Sequence, residues 1–212
     1  MADLARYRQN MIDAHLKARG IHNESVLMAM AKVKREDFIP AKWRDMAYDD
    51  RPLPIDEGQT ISQPFIVAFM TQAMNLKGGE KVLEIGTGSG YAAAILGEIA
   101  GEVFTIERHK KLADKAGGKL KPWKNVHVTR GDGTRGLEKE APFDSIVATA
   151  AGPNVPETLK NQLKIGGRLV VPVGRSRMYQ RLLKITRKSE KDFFEEDLGG
   201  VAFVPLIGEE GF

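Results

Sequence analysis

Residues 81–91 read Lys-Val-Leu-Glu-Ile-Gly-Thr-Gly-Ser-Gly-Tyr, and this stretch restricts the fold more tightly than any other. Val82, Leu83 and Ile85 form an apolar run that stops at alternating glycines, Gly86, Gly88 and Gly90. A helix-favouring segment, residues 91–100, follows. Strand, glycine turn and helix in this order begin a nucleotide-binding α/β unit. Glycine is needed where a ligand presses on backbone that a Cβ would block, and where a turn takes positive φ.

The spacing separates two kinds of cofactor. A dinucleotide loop follows G-x-G-x-x-G, with a helix N-terminus facing the pyrophosphate. Counted from Gly86, the last glycine of that pattern falls at position 91, which is Tyr91. What stands here is Glu84-x-Gly86-x-Gly88-x-Gly90. That arrangement resembles the first motif of Rossmann-like methyltransferases that use S-adenosyl-L-methionine, a cofactor with an amino-acid moiety and no pyrophosphate.

At 212 residues the chain can bury a full core and is expected to form one domain. The expected parts are a helical N-terminal addition (1–46), an active-site loop (47–63), a cofactor-binding core (64–180) and C-terminal strands (181–212). Helices are expected over 3–19 and 23–34, the second capped by Asn23, with a turn from Arg35 and a short helix near Trp43. Residues 47–61 hold two prolines and a glycine and read as an ordered irregular loop, a candidate lid or site wall. Strands follow at 81–85, 102–107, 126–129, 144–149 and 165–173, alternating with helices. Two further strand-like runs, 181–186 and 200–206, suggest an antiparallel pair on the sheet edge, where Pro205 is tolerated. The fold class is therefore α/β, a doubly wound sheet with ligands at the carboxyl ends of its strands.

Composition narrows the chemistry. The chain has no cysteine, which excludes disulfides, thiolate metal sites and cysteine nucleophiles. No metal site is expected. No apolar run reaches the length of a membrane span, and the N-terminus lacks the apolar core of a signal peptide, so a cytoplasmic location with no membrane partner is expected. The net charge is +4, and Arg108, Lys110, Lys111, Lys115, Lys119, Lys121 and Lys124 gather on one expected helix and its exit. They read as a solvated face rather than a nucleic-acid footprint.

Several acidic groups follow the strands. Glu107 ends the second core strand, where a carboxylate can accept both hydroxyls of a ribose. Asp132, between Gly131 and Gly133, is placed to accept from an adenine amino group or to make a plain turn. Glu84 would orient the glycine loop and the amino-acid end of the cofactor, because a carboxylate so close to backbone donors is poorly explained by packing. From spacing alone, Ser62 reads as the N-cap of the helix that starts at Gln63. Its position in the loop ahead of the glycine motif leaves a role in a site open.

A more specific resemblance covers nearly the whole chain. Gly58-Gln-Thr-Ile-Ser-Gln-Pro64, the 82–91 motif, Gly131-Asp-Gly133, Pro142-Phe-Asp144, Gly166-Gly-Arg-Leu-Val-Val-Pro-Val-Gly174 and Phe203-Val-Pro-Leu206 occur in the order seen in protein-L-isoaspartate (D-aspartate) O-methyltransferases. The resemblance implies that Ser62 is the active-site serine. It implies that Thr60, Glu84, Gly86, Gly88, Glu107, Asp132 and Gly133 bind S-adenosyl-L-methionine and its product S-adenosyl-L-homocysteine. Ile61, Ala150, Ala151, Val204, Pro205 and Leu206 would line a groove for the substrate, a damaged protein or peptide bearing isoaspartyl residues, met by a monomer. Two positions depart from the family pattern: Gly152 stands where alanine is expected, and Phe65 where some members carry histidine. Competing expectations are a nucleic-acid or small-molecule methyltransferase and a non-catalytic cofactor-binding module. Against the first, Thr149-Ala-Ala-Gly-Pro153 lacks the Asn/Asp-Pro-Pro-aromatic sequence that holds a flipped base.

Overall fold

The computed structural model describes residues 3–176 and 179–212. Helix α1 (Leu4–Asn10) continues through a π-type turn (Met11–Leu16) and a 3-10 turn (Lys17–Arg19) until Gly20, at φ 91°, ends the run. Asn23 then caps α2 (Glu24–Lys32), its side chain accepting the Val26 N–H at 3.1 Å. Short 3-10 turns occupy Arg35–Asp37 and Ala41–Met46. The segment expected to be irregular contains a small hairpin, β1 (Leu53–Pro54) paired antiparallel with β2 (Thr60–Ile61).

Helix α3 (Pro64–Met74) starts without help from Ser62. Gln63 is its N-cap and makes no side-chain cap, and proline leads the first turn, where its missing N–H is not needed. One of the free N–H groups, that of Phe65, is met from a distance by Asp50. Its Oδ1 accepts from the Phe65 N–H at 2.9 Å, and its Oδ2 accepts from Gln63 Nε2 at 2.8 Å and Arg19 Nη1 at 2.6 Å. The capping interpretation of Ser62 is thereby replaced: the cap belongs to Asp50.

The rest of the chain alternates strand and helix: β3 (Lys81–Ile85), α4 (Tyr91–Gly97), β4 (Glu102–Glu107), α5 (Lys110–Lys119), β5 (Val126–Arg130), β6 (Phe143–Ala148), α6 (Glu157–Asn161), β7 (Leu163–Val173), β8 (Gln180–Arg187) and β9 (Phe193–Val201). The main sheet has the order β5-β4-β3-β6-β7-β8-β9. Strands β3 to β7 are parallel, while β8 and β9 are antiparallel additions. The chain winds outward from β3 through β4 to β5, then returns to the other side of β3 as β6. The direction of winding therefore reverses beside the carboxyl end of β3, where such sheets leave a crevice. Val82, Leu83, Glu84 and Ile85 are all buried, as expected of a parallel strand covered on both faces.

One expected strand is misplaced. The final strand, expected at 200–206, lies instead at Phe193–Val201. Its acidic residues suit an edge strand, which keeps charges on its open side, where Asp197 pairs with Arg181 and Glu196 with Lys184. Residues 203–206 return to the end of β6. The Ala151 N–H donates to the Val204 carbonyl at 2.9 Å and the Leu206 N–H to the Ala151 carbonyl at 2.8 Å. Pro205 sits between those two bonds in a parallel bridge to Ala151, so its missing donor leaves nothing unpaired.

These contacts separate two neighbouring side chains in a melting experiment. Asp50→Ala removes the cap of α3 and is expected to cost about 1–2 kcal/mol, lowering Tm by several degrees. Ser62→Ala is expected to leave Tm unchanged; an equal drop in both variants would return the cap to Ser62.

Candidate active site

The carboxyl ends of β3, β4 and β6 open into a cavity of about 710 Å3, within the range of small-molecule sites. One wall carries Glu84, Gly86, Gly88, Glu107 and Gly133; the opposite wall carries Thr60, Ile61, Ser62 and residues 204–206, with Ala150 between them. Most of the residues singled out from the sequence therefore meet around a single space.

Local geometry explains the glycine wall. At the end of β3 the chain turns with Gly86 at φ 97°, and the Gly86 and Thr87 N–H groups both donate to the Ile106 carbonyl of β4. Gly90, at φ 90°, is the N-cap of α4, a conformation that a side chain would strain. Glu107 braces the loop from β4. Its Oε2 accepts the Gly88 N–H at 2.9 Å and its Oε1 the His109 N–H at 2.9 Å. Each oxygen has a further lone pair for a ligand hydroxyl, since a carboxylate accepts about four hydrogen bonds.

Glu84 is fully buried, and only one of its oxygens is satisfied. Thr105 Oγ1 donates to Oε2 at 2.5 Å and lies 2.6 Å from Thr87 Oγ1, while Oε1 has no partner among the described residues. Burial pushes its carboxyl up to about 8; the Thr105 hydrogen bond opposes that rise and the nearby Glu107 charge adds to it. An orphaned buried oxygen beside a cavity is a group waiting for a donor or a positive charge. A cationic amino-acid moiety on a nucleoside fits this wall, with Glu107 beside it for the hydroxyls.

Two residues lie off the main cavity. Asp132 borders a smaller open space of about 450 Å3 with Arg108, Arg130, Gly131, Ile207 and Gly208; Arg108 and Ile207 line both spaces. Its oxygens already accept from the Thr134 N–H, Thr134 Oγ1 and the Glu209 N–H of the C-terminal tail. Burial works to raise its carboxyl, but those hydrogen bonds and Arg135 outweigh it and hold the group below the usual carboxylate range. Ala151, expected at the groove wall, is buried and absent from the cavity lining. Its backbone instead holds residues 204–206 in place. Gly152 is explained by the same turn: a Cβ there would lie 2.8 Å from the Asn154 carbonyl oxygen.

The far wall is a hairpin folded over the glycine loop. Ile55 reaches toward Gly88, and at the tip Asp56 lies 2.9 Å from Lys111 Nζ and 2.7 Å from Lys115 Nζ of α5. Hydrogen bonds from Lys115 and Lys111 draw its carboxyl down to about 2. Two of the lysines that made α5 look like a basic face therefore hold this hairpin. The Ser62 hydroxyl makes no hydrogen bond among the described residues and lines the cavity. Phe65 stacks on Phe69 at 5.6 Å, with the Arg19 guanidinium 3.5 Å from its ring centre.

Sequence reasoning missed several supporting residues. Gln180 is buried, donating to the Phe203 carbonyl at 3.1 Å and accepting the Phe203 N–H at 2.6 Å, which fixes the start of the 203–206 segment. Asp50, Thr87, Thr105 and Arg35 belong to the same group. Their partners are distant in the chain, and no local pattern marks them. Among the described residues no cluster of three or more His, Cys, Asp or Glu gathers for a metal ion, and no helix is long and apolar enough to cross a membrane.

A glycine-lined pocket with a buried acid, lined also by a serine just after a small hairpin, has the construction of a Rossmann-like methyltransferase. Comparison with known proteins gives the particular family. The sequence model of "Protein-L-isoaspartate(D-aspartate) O-methyltransferase (PCMT)" matches residues 6–211. Protein-L-isoaspartate O-methyltransferase 1 of Rhodopseudomonas palustris is 56% identical over 210 residues, covering 98% of this chain and 86% of the relative. The Brucella anthropi protein-L-isoaspartate O-methyltransferase is 52% identical over 214 residues, covering 100% and 98%. A solved Plasmodium falciparum protein of this description, in complex with S-adenosyl-L-homocysteine, superposes with a TM-score of 0.81 at 26% identity, covering 98% of this chain and 99% of the other. The chain belongs to the protein-L-isoaspartate (D-aspartate) O-methyltransferase family. Its cofactor is S-adenosyl-L-methionine, and its activity is methyl transfer to isoaspartyl residues in proteins.

The raised carboxyl of Glu84 has a pH signature. Between its ordinary value of 4.5 and its folded value of about 8, the folded protein binds a proton that the unfolded chain has lost. Stability must then fall as pH rises through that window. Without cofactor, Glu84→Gln is expected to melt several degrees above wild type at pH 8.5, with the gap shrinking toward pH 5. A gap independent of pH would show that Glu84 is ionised in the folded protein.

Proposed function

We propose that the chain repairs proteins by methylating the free α-carboxylate of L-isoaspartyl residues, with Ser62 positioning the acceptor. The observation that carries this reading is Ser62, which is not the helix cap, whose hydroxyl has no hydrogen-bond partner among the described residues, and which lines the same cavity as Glu84, Glu107 and the glycine loop. S-adenosyl-L-methionine, when bound, supplies an electrophilic methyl group on a sulfonium sulfur. Glu84 and the 86–90 loop would hold its amino-acid end, Glu107 its ribose, and Gly133 with Asp132 its base. Thr60 contributes from the hairpin at the boundary between cofactor and acceptor.

An α-carboxylate has a reference pKa of about 4 or slightly below, so it is ionised at neutral pH and needs no general base. Alignment is what remains to be supplied, with the acceptor oxygen held about 3 Å from the methyl carbon. Ser62 donates a hydrogen bond to the carboxylate or the adjoining peptide group and does not attack. Ile61, Ala150 and residues 204–206 cradle the kinked backbone of the damaged residue, with Ala151 fixing that segment from behind. The 53–61 hairpin excludes water from the carboxylate, which removes competing solvation. The methyl ester then leaves, closes to a succinimide by attack of the neighbouring backbone nitrogen with loss of methanol, and reopens in part to the normal aspartyl linkage.

We also read the chain as one methyltransferase unit acting as a cytoplasmic monomer on damaged proteins and peptides, with nucleic acid outside its substrates. Engagement of Lys111 and Lys115 by Asp56 supports the last point, because it removes two cations from the basic helix.

Paired synthetic peptides test the reading, one with an aspartyl and one with an isoaspartyl residue. Methyl incorporation and methanol release are expected with the isoaspartyl peptide alone. Ser62→Ala is expected to bind cofactor normally and to lose about tenfold to a hundredfold in kcat. Unchanged turnover in that variant would remove Ser62 from the site, and methylation of RNA in place of the peptide would overturn the substrate assignment.

A further inference from the structure

Arg35 is a fully buried guanidinium. Its Nη2 donates to the Ser62 carbonyl at 3.0 Å and the Arg51 carbonyl at 3.3 Å, while Nε and Nη1 have no partner among the described residues. No carboxylate among the described residues forms an ion pair with it. The ring of Tyr91 has its centre 5.6 Å away, and Tyr48, Asp50 and Asp49 also act on the guanidinium charge. Burial pushes its pKa down, and the surrounding Tyr91, Tyr48, Asp50 and Asp49 offset that only in part.

Such a group is a poor way to stabilise a fold, because an apolar side chain of the same volume usually serves a core as well or better. What Arg35 does supply is geometry. Its two carbonyl partners are Arg51, two residues before the β1–β2 hairpin, and Ser62, the residue just after it. That hairpin pairs only two residues on each strand, too few to define its own base. Ser62 is held at its carbonyl by Arg35, while Asp50 holds Gln63 and Phe65 on its other side. The Tyr91 ring opens α4 directly after the glycine loop, so the same guanidinium touches both halves of the site.

We propose that Arg35 is a positioning residue for methyl transfer: from inside the core it closes the base of the 51–62 segment and fixes the backbone of Ser62, so that the serine hydroxyl meets the acceptor. The inference rests on the reading of Ser62 given above. It separates stability from rate, since removing the charge should relax the acceptor wall without harming the core.

The test compares Arg35→Met and Arg35→Lys with wild type in the full chain. Arg35→Met is expected to melt at or above the wild-type temperature and to bind S-adenosyl-L-methionine within about twofold of wild type. Its kcat on an isoaspartyl peptide is expected to fall about tenfold or more, because small misplacements cost that much in alignment. Arg35→Lys is expected to recover part of that rate. Hydrogen exchange should quicken in Arg35→Met at the Ile55 amide, which bonds the Gln59 carbonyl inside the hairpin, and stay unchanged in β3. A wild-type rate in a folded Arg35→Met, a rate that falls in step with Tm or cofactor affinity, or failure of both variants to fold would each overturn the proposal. Ser62→Ala run alongside separates the two readings. Slow turnover there with wild-type rates in both Arg35 variants overturns the positioning role alone, and wild-type turnover there overturns both.

Discussion

The exit of β3 is the point on which the architecture turns. A strand buried on both faces delivers a carboxylate, Glu84, into the interior and then breaks into glycines whose backbone curls over the end of β4. Thr105 and Thr87 tie that acid to the neighbouring strand and to the loop, and Glu107 pins the loop from the other side. The result is a rigid wall with one buried oxygen unsatisfied. Burial that would be unfavourable in an ordinary core becomes useful beside a cavity, because an incoming cation or donor relieves it.

The other wall is built differently. It consists of loops, and its precision comes from single polar side chains reaching across long stretches of sequence. Asp50 caps α3 and so frees Ser62, Arg35 closes the hairpin, Gln180 fixes Phe203, and the Ala151 backbone holds residues 204–206. In the proposed reading, cofactor recognition draws on the regular sheet and acceptor recognition on tethered segments. That division suits an enzyme whose acceptor arrives already ionised and needs alignment more than activation.

This division also decides how much could be read from the chain. The sheet half is local: alternating apolar runs and glycines mark β3, and Glu84, Gly86, Gly88 and Glu107 line the cavity as their spacing implies, with Gly133 as the resemblance implies. The loop half was legible only through resemblance, and partly. Ser62 looks like a helix cap until Asp50 is seen doing that work from the far side of the hairpin. Arg35 sits in a charged run, Lys34-Arg35-Glu36-Asp37, that has every local mark of a solvated turn, yet it is buried. Strand β9 lies ahead of the expected 200–206 because its acidic residues pair across the sheet edge with Arg181 and Lys184. In each case the deciding partner is distant in sequence, and local periodicity carries no record of it.

The most direct measurement is a crystal structure of the chain with S-adenosyl-L-homocysteine and a short isoaspartyl peptide. The expected result has the cofactor's amino-acid end beside Glu84 and the peptide's free α-carboxylate, or its adjoining amide, within about 3 Å of Ser62 Oγ. A carboxylate bound elsewhere in the cavity, for example on Arg19, with Ser62 turned toward solvent, would contradict the account.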